Sequence, residues 1–318
     1  MNIAVYFRRI TPHWAHFLDL NRTPTRIVLA YKPIEKAGIA AVTVTDSPKQ
    51  KLIALEKLLR AYGKVAIGFS GGVDSTFLAA VCQRIMPTDT LLVHLTTPLI
   101  GTPEQASFRE AVDGEGEHAF NLPFLNLCID QLELPEVATN DPDRCYHCKR
   151  AGFTAIVNHA RKLGFKTVID GSNASDVGDY RPGMRAVKEL GVKSPLMEVG
   201  FTKDEERELL RAWGYPVWNM PAGACLATRI PTGEALTRKK VDLVRAAEDY
   251  MHNLGANQIR ARLISGKLVV EAAPEDLPQL ADESSRALSP AVAEHLRTLG
   301  FNDIDPTVHA YGKGNMNA

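Results

Sequence analysis

The run Ser70-Gly71-Gly72-Val73-Asp74-Ser75-Thr76 is the sharpest chemical signal in this sequence. It follows the apolar stretch KVAIGF and precedes TFLAAVCQRI, so it reads as a turn from a strand into a helix. Two glycines let the backbone turn tightly and present consecutive N–H groups. The hydroxyls of Ser70, Ser75 and Thr76 add donors, and the helix amino end adds a positive dipole. Together they make a cradle for a phosphate or pyrophosphate. The run lacks the lysine of a Walker A loop and the glycine spacing of a dinucleotide-binding turn. Asp74 would repel phosphate unless a cation intervened, which predicts Mg²⁺ bridging the carboxylate and the phosphates. A second polar segment, Asp170-Gly171-Ser172-Asn173 with Asp176 beyond it, ends another apolar run and could contact ribose, metal or substrate. A plain Asx/Gly turn is its bland alternative.

Five cysteines occur, at 82, 128, 145, 148 and 225. Cys82 and Cys128 lie in apolar surroundings and read as small buried hydrophobes. Cys145 and Cys148 form a C-x-x-C pair in RCYHCKR, and Cys225 lies in PAGACLATRIP. Three thiols could fill three corners of a metal site and leave one open. That suits a [4Fe-4S] cluster with a labile iron, or zinc completed by His147 or water. A dithiol redox pair is the simpler alternative for Cys145 and Cys148. Arg229, close to Cys225 in sequence, would stabilise a thiolate there. A carboxylate or amide activated by ATP is an electrophile, and a thiolate or cluster-bound sulfide is the matching nucleophile. Activation and sulfur delivery would then share a cleft.

The elements that must position these groups follow from periodicity. Leu52, Ile53, Leu55, Leu58 and Leu59 form a helical stripe stopped by Gly63. KVAIGFS, TLLVHL and KTVIDGS read as buried strands, AFNLPFL as a further one, and a weaker helix spans 103–118. NDPDRCYHCK reads as a loop before the amphipathic run GFTAIVNHARKL. KDEERELLRAWG is a helix with acidic residues early. Strands alternating with helices indicate βαβ units on a parallel sheet, which bind ligands at the strands' carboxyl ends. NMPAGACLATRIPTGEALT is irregular and holds the expected domain boundary. Beyond it, Thr237 caps a helix that Gly255 stops, and QIRARLI and KLVVEA form a hairpin across SG with Arg260 and Arg262 on one side. A last helix, AVAEHLRTLG, leads to an edge strand. The expected division is residues 1–50, an extension holding IAVYF, RIVLAY and IAAVTV; 51–220, an α/β nucleotide domain; and 221–318, a small α+β domain.

The 318 residues suffice for two domains, and 37 basic against 37 acidic side chains give no global charge with which to hold a nucleic acid. No apolar run approaches the length of a membrane span or an export signal, which places the expected location in the cytoplasm. An odd cysteine count without an export signal argues against a disulfide framework.

The SGGVDS loop in its strand–loop–helix setting resembles the PP-loop ATP pyrophosphatases. That likeness implies an adenine nucleotide alpha hydrolase-like parallel-sheet fold and attack at the α-phosphate of ATP. CYHCK, DGSNASDVGDYRPGMRAVKELGVKSPL, PAGACLATRIPTG and QIRAR followed by KLVVEA resemble, more narrowly, the sulfur transferases of nickel-pincer nucleotide cofactor biosynthesis. The likeness covers roughly residues 50 to 318 and leaves the first 50 without a counterpart. It implies adenylylation of a carboxylate of pyridinium-3,5-biscarboxylic acid mononucleotide, replacement of oxygen by sulfur, and a C-terminal domain that helps form a homo-oligomer. It implies that Ser70 to Thr76 hold ATP–Mg²⁺ and that Asp170 to Asn173 form the second nucleotide motif. Arg181 in DYRPG, Arg229, Arg260 and Arg262 serve the substrate, and Glu248 lies near the metal or sulfur chemistry. Cys145, Cys148 and Cys225 would hold a [4Fe-4S] cluster whose open iron carries sulfide from an unidentified source. In the family's other strategy Cys225 gives up its own sulfur and ends as dehydroalanine. Thr228 stands where serine is common, harmless for a hydroxyl role. Thiolation of tRNA, amidation by a PP-loop ligase and a zinc-stabilised nucleotide-sensing module are the competing readings.

Overall fold

The computed structural model describes residues 3–8, 46–113, 118–176, 182–221 and 223–312, the first of these segments by its backbone alone. RIVLAY, IAAVTV and Arg181 lie outside the described residues. In chain order the elements are β1 (Ile3–Arg8), α1 (Asp46–Tyr62), β2 (Val65–Gly68), α2 (Val73–Ile85), β3 (Thr90–Thr96), α3 (Thr102–Asp113), β4 (Phe124–Ile129), α4 (Pro135–Ala138), α5 (Arg144–Lys162) and β5 (Thr167–Ile169). They continue through α6 (Pro182–Glu189), α7 (Pro195–Glu198), α8 (Lys203–Ala212), α9 (Arg238–Asn253), β6 (Ile259–Ile264), β7 (Lys267–Ala272), α10 (Leu277–Leu280), α11 (Pro290–Thr298) and β8 (Asp303–Ala310). Two compact units result: residues 1–96, 103–129 and 146–220, and residues 97–102, 130–145 and 221–318.

The first unit carries a sheet in the order β1-β4-β3-β2-β5. β2 runs parallel to β3 and β5, and β3 parallel to β4, while β1 adds an antiparallel edge. A parallel sheet covered on both faces needs strands that are apolar throughout, and Val65, Ala66, Ile67, Leu91, Leu92 and Val93 are all buried. Ile67 and Leu92 face a core shared with Leu55, Phe77 and Leu210; Ala66, Leu91 and Val93 face another shared with Ile156 and Ala160. α2 is buried from Ser75 through Cys82, so the helix carrying the phosphate-loop residues is fixed by packing.

Three local readings shift. The cysteine pair is helical, because α5 begins at Arg144 and not after the C-x-x-C. Gly152 within this helix is a packing residue: a Cβ there would meet Leu95 Cδ1 at 2.7 Å. The strand expected in AFNLPFL falls at Phe124–Ile129 and runs on through Cys128. Finally, α3 starts at Thr102, one residue before the expected 103, and runs to Asp113, with 114–117 outside the described residues.

In the second unit β6 and β7 form the expected hairpin. Its two turn residues, Ser265 (φ 49°) and Gly266 (φ 86°), both take the left-handed conformation that matches the strands' twist. β8 lies parallel to β7 at the edge. α9 is capped by Thr237, whose Oγ1 accepts from Lys240 N at 3.2 Å, and it buries Val241, Val244, Ala247 and Met251. Among the described residues no helix is long and apolar enough to cross a membrane.

Candidate active site: a phosphate loop and a braced cysteine loop

The loop after β2 is tied from within. Ser70 N donates to Ser75 Oγ at 3.2 Å, Ser75 Oγ donates to Gly72 O at 3.2 Å, and Gly72 N donates to Ser70 Oγ at 3.3 Å. Ser107 of α3 donates from Oγ to Gly71 O at 2.7 Å. Gly71 has φ 83°, and a Cβ there would lie 2.8 Å from Phe108 N, so conformation and space both demand glycine. Gly72 caps α2 without a side-chain acceptor, leaving its first-turn N–H groups for an external anion. That chemistry fits a phosphate. His94 supports the loop from below: its Nδ1 lies 2.9 Å from Phe69 O, and its ring stacks on Phe108. Burial lowers its pKa to about 4, so it is neutral near pH 7.

The Asp170–Asn173 segment packs directly on this loop. A Cβ on Gly171 would lie 3.1 Å from both Asp74 Cβ and Ser75 N. Asn173 Nδ2 donates to Asp74 Oδ1 at 3.1 Å, and Lys203 Nζ lies 3.2 Å from Asp74 Oδ2. Asp170 braces the segment: Ser172 Oγ donates to Oδ2 and Ser194 Oγ to Oδ1, each at 2.7 Å. Thr76, read as a donor, is buried, and its Oγ1 has no hydrogen-bond partner. A cavity of about 610 Å³ opens in this unit, lined among others by Thr76, Ser107, Glu110, His118, Phe120 and Tyr215.

One group here went unread in the sequence. Glu206 of α8 is 0% exposed, and neither of its carboxyl oxygens has a hydrogen-bond partner. Burial pushes its pKa up to about 10, with Asp74 adding to the rise and Lys203 and Asn173 opposing it. In KDEERELL it resembled the other acidic residues of an N-terminal turn, and only its inward phase on the helix sets it apart. A divalent cation fits here. Asp74 lies at the amino end of α2, and Glu206 offers an orphaned buried carboxyl beside it.

In the second unit, Cys225 is exposed on a loop whose carbonyls are held by three arginines. Arg229 NH1 donates to Ala224 O at 3.1 Å and Cys225 O at 3.4 Å; Arg262 NH1 donates to Thr228 O at 3.0 Å; Arg144 NH1 donates to Ala227 O at 3.4 Å. Thr228 Oγ1 donates to Cys225 O at 2.8 Å. Two of these arginines are neutralised. Arg229 is clamped by Glu248, Nε to Oε1 at 2.7 Å and NH2 to Oε2 at 2.9 Å, in a pair no more than 7% exposed. Glu248 Oε1 also accepts from Ala261 N at 2.9 Å. Arg262 Nε meets Glu271 Oε1 at 2.6 Å. Arg260 is buried, donates to Ile259 O at 2.7 Å and lies over the Tyr311 ring.

Arg144, missed in the sequence, is buried with no carboxylate partner among the described residues; it bonds Asn140 Oδ1 and reaches Cys145 Sγ at 3.6 Å. Asn140 has φ 62° and donates from Nδ2 to Ile230 O, Pro231 O and Glu234 O at 3.2, 2.8 and 3.0 Å, fixing the chain after the cysteine loop. The crowding of protein around the Cys225 sulfur raises its pKa, against the lowering by the Ala227 N–H, Arg144 and Arg229. Arg229 acts in the expected direction on the thiol, although it is paired with Glu248, and the crowding outweighs it.

All five cysteines are free thiols, and Cys82 is fully buried as expected. Among the described residues no three His, Cys, Asp or Glu side chains are grouped to hold a metal ion.

No family model matches the sequence. Over 266 residues the chain is 32% identical to an uncharacterised protein of Synechocystis, covering 83% of this chain and 96% of that protein. Over 267 residues it is 28% identical to the pyridinium-3,5-bisthiocarboxylic acid mononucleotide synthase of Lactiplantibacillus plantarum, covering 84% and 94%. A component of the glutamine-hydrolysing GMP synthase of Methanopyrus kandleri is 30% identical over 210 residues, 61% of this chain and 65% of that protein.

Proposed function

Because this chain belongs to the PP-loop ATP pyrophosphatase superfamily, we propose that it is an ATP-dependent sulfur transferase acting on a carboxylated nucleotide. Pyridinium-3,5-biscarboxylic acid mononucleotide is the substrate that the synthase likeness favours. The observation that carries the sulfur half is Cys225 itself, a residue exposed on a loop whose backbone three arginines hold.

In this reading the loop amides and the hydroxyls of Ser70 and Ser75 bind the β- and γ-phosphates of ATP. A substrate carboxylate oxygen attacks the α-phosphorus, the bond to the bridging oxygen breaks, and pyrophosphate leaves. Donors already in place at the loop meet the charge that develops on the leaving group. Asp74 and Glu206 would hold Mg²⁺, which supplies charge neutralisation on the phosphates. The sulfur of Cys225, as thiolate, then attacks the acyl carbon and AMP departs, leaving a thioester. Loss of the Cys225 α-proton and cleavage of its Cβ–S bond would release the thiocarboxylate and leave dehydroalanine.

The test is a single-turnover reaction with ATP and the biscarboxylated mononucleotide, followed by mass spectrometry of the protein. AMP formation, with loss of one H₂S from the peptide carrying residue 225, is the expected result. AMP formation with an intact Cys225 over many turnovers would overturn the donor role. Iron and acid-labile sulfide measured on anaerobically purified protein would then decide whether Cys145, Cys148 and Cys225 hold a cluster. No AMP with any carboxylated nucleotide would overturn the activation step itself.

A further inference from the structure

The side chains around Asp74 leave one carboxyl group unaccounted for. Asp74 is already met by two neighbours, the Lys203 ammonium at 3.2 Å and the Asn173 amide at 3.1 Å. Glu206 lies beside the same groups, with Asp74 raising its pKa and Lys203 and Asn173 opposing the rise, yet none of them donates to either of its oxygens in hydrogen-bond geometry. It projects from α8 into the packed layer against α2, is fully excluded from solvent, and has both oxygens unpartnered. Burying a carboxyl without a partner is unfavourable by several kcal/mol in ordinary circumstances. At this place hydrophobic side chains would pack equally well: Leu209 and Leu210 of the same helix are buried in that core. A carboxyl retained there, facing a second carboxylate at a helix amino end, has the arrangement of an incomplete cation site.

We propose that Glu206 is a protein ligand of a divalent cation held jointly with Asp74 at the amino end of α2. Two carboxylates suit a hard ion of the magnesium type, which keeps several waters and takes further oxygens from phosphates instead of demanding a full protein cage. That accounts for a site with two acidic side chains and no third. Lys203, 35% exposed on its side chain, is the group free to move when the ion arrives. It would exchange Asp74 for a phosphate oxygen, so one cation replaces another on the same carboxylate. Glu206 gains the counter-ion it lacks. The inference rests on the phosphate-loop reading only for its purpose, since the ion is held by protein atoms before any nucleotide binds.

The experiment titrates Mn²⁺ alone into the full-length protein and follows free Mn²⁺ by electron paramagnetic resonance. No nucleotide or substrate is present, so the sulfur-transfer reading can fail while this one stands, and the reverse. The wild type should bind one Mn²⁺, displaceable by Mg²⁺. Glu206→Gln, which keeps shape and can still donate to Asp74, should bind at least tenfold more weakly. Glu206→Asp, which keeps the charge but withdraws it by one methylene, should fall between. Thermal unfolding checks that each variant is folded, and the Asp variant carries the comparison if the Gln variant is not. Equal Mn²⁺ affinity in wild type and Glu206→Gln, or in Glu206→Asp where that variant stands in, would overturn the proposal, as would a wild type that takes up no Mn²⁺. Glu206 would then be a neutral acid serving only to hydrogen-bond Asp74.

Discussion

The phosphate loop and the cysteine loop are built with opposite electrostatic surpluses. Around Asp74 two carboxyl groups, Asp74 and Glu206, face one cation, Lys203. Around Cys225 three guanidinium groups, Arg144, Arg229 and Arg262, face two carboxylates, Glu248 and Glu271. The first region carries an acid in excess and the second a base in excess, each of the surplus side chains buried. Every other charge in either set is paired at hydrogen-bonding distance. Each region is kept rigid by paired charges and holds one buried ionisable side chain that lacks an oppositely charged partner. In the proposed reading the phosphate loop would take a cation carrying nucleotide, and the cysteine loop an anion such as a substrate carboxylate or phosphate.

The contrast is broken most severely at Glu248. Glu248→Ala strips a buried guanidinium of both its carboxylate contacts and removes the acceptor of Ala261 N, which should destabilise the fold by about 3–5 kcal/mol. Urea denaturation checks this. Replacing Arg229 and Glu248 together by Met and Leu should recover most of the loss, because the penalty lies in the stranded charge. Recovery of nothing would mean that Arg229 matters mainly through the loop carbonyls it holds.

At the phosphate loop the equivalent change should act in the other direction. Folded Glu206 has its pKa raised from 4.5 to about 10, so the native protein holds a proton that the unfolded chain releases between those values. Stability associated with this group is therefore full below about pH 4.5 and lost as the pH rises towards 10. Glu206→Gln escapes that loss. It should raise stability by about 1 kcal/mol at pH 5 and by up to about 5 kcal/mol at pH 8, read as a higher thermal midpoint. The same substitution is expected to weaken cation binding, the trade between stability and function seen where a site stores an unfavourable charge. A variant no more stable at pH 8 than the wild type would show that Glu206 is already ionised and paired.

Gly171→Ala tests how closely the two nucleotide motifs must fit. Its Cβ would lie 3.1 Å from Ser75 N and Asp74 Cβ, tight enough to shift the loop by a few tenths of an ångström. Slower pyrophosphate release, on the order of tenfold, is expected with the fold retained. Unchanged release would show that the Asp170 segment yields in place of the loop.

The two regions also differ in how much of them the sequence reveals. The phosphate loop is a contiguous backbone device, so Ser70 to Thr76 read directly, and Asp170 to Asn173 read as a polar strand end. Cys225 reads through its glycine- and alanine-rich surroundings. The partners of these groups do not, because they come from distant elements. Lys203 and Glu206 meet Asp74 from more than 120 positions away, and Asn140 closes the cysteine loop from 90 or more. Glu206 is visible only once α8 is packed, since nothing in KDEERELL says which of its acids faces inward. Arg144 does not stand out in NDPDRCYHCK, because that run reads as a loop and the Ala227 carbonyl the residue reaches lies 83 positions away. The strands of the parallel sheet, the Ser265-Gly266 hairpin and the Thr237 cap were legible because each depends on residues within a few positions of one another.

The smallest effect expected is at Thr228, where the cysteine loop is braced by a hydroxyl instead of a charge. Thr228 Oγ1 donates to Cys225 O at 2.8 Å and accepts from Arg229 NH1 at 2.9 Å. Thr228→Ser preserves both bonds and loses only a methyl group from a residue that is partly exposed, so stability should change by less than about 0.5 kcal/mol. Thr228→Val keeps the shape and removes the hydroxyl. It leaves Cys225 O to Arg229 and to the backbone N–H of residue 228, which donates at 2.9 Å, and should destabilise by about 1 kcal/mol. Arg229 remains paired with Glu248 in both variants, so the difference between them isolates the hydroxyl's hold on the Cys225 carbonyl. Iodoacetamide alkylation of Cys225 should be unchanged in the serine variant and altered in the valine variant as the loop loosens. Equal alkylation and equal stability would assign the rigidity of the loop wholly to its arginines.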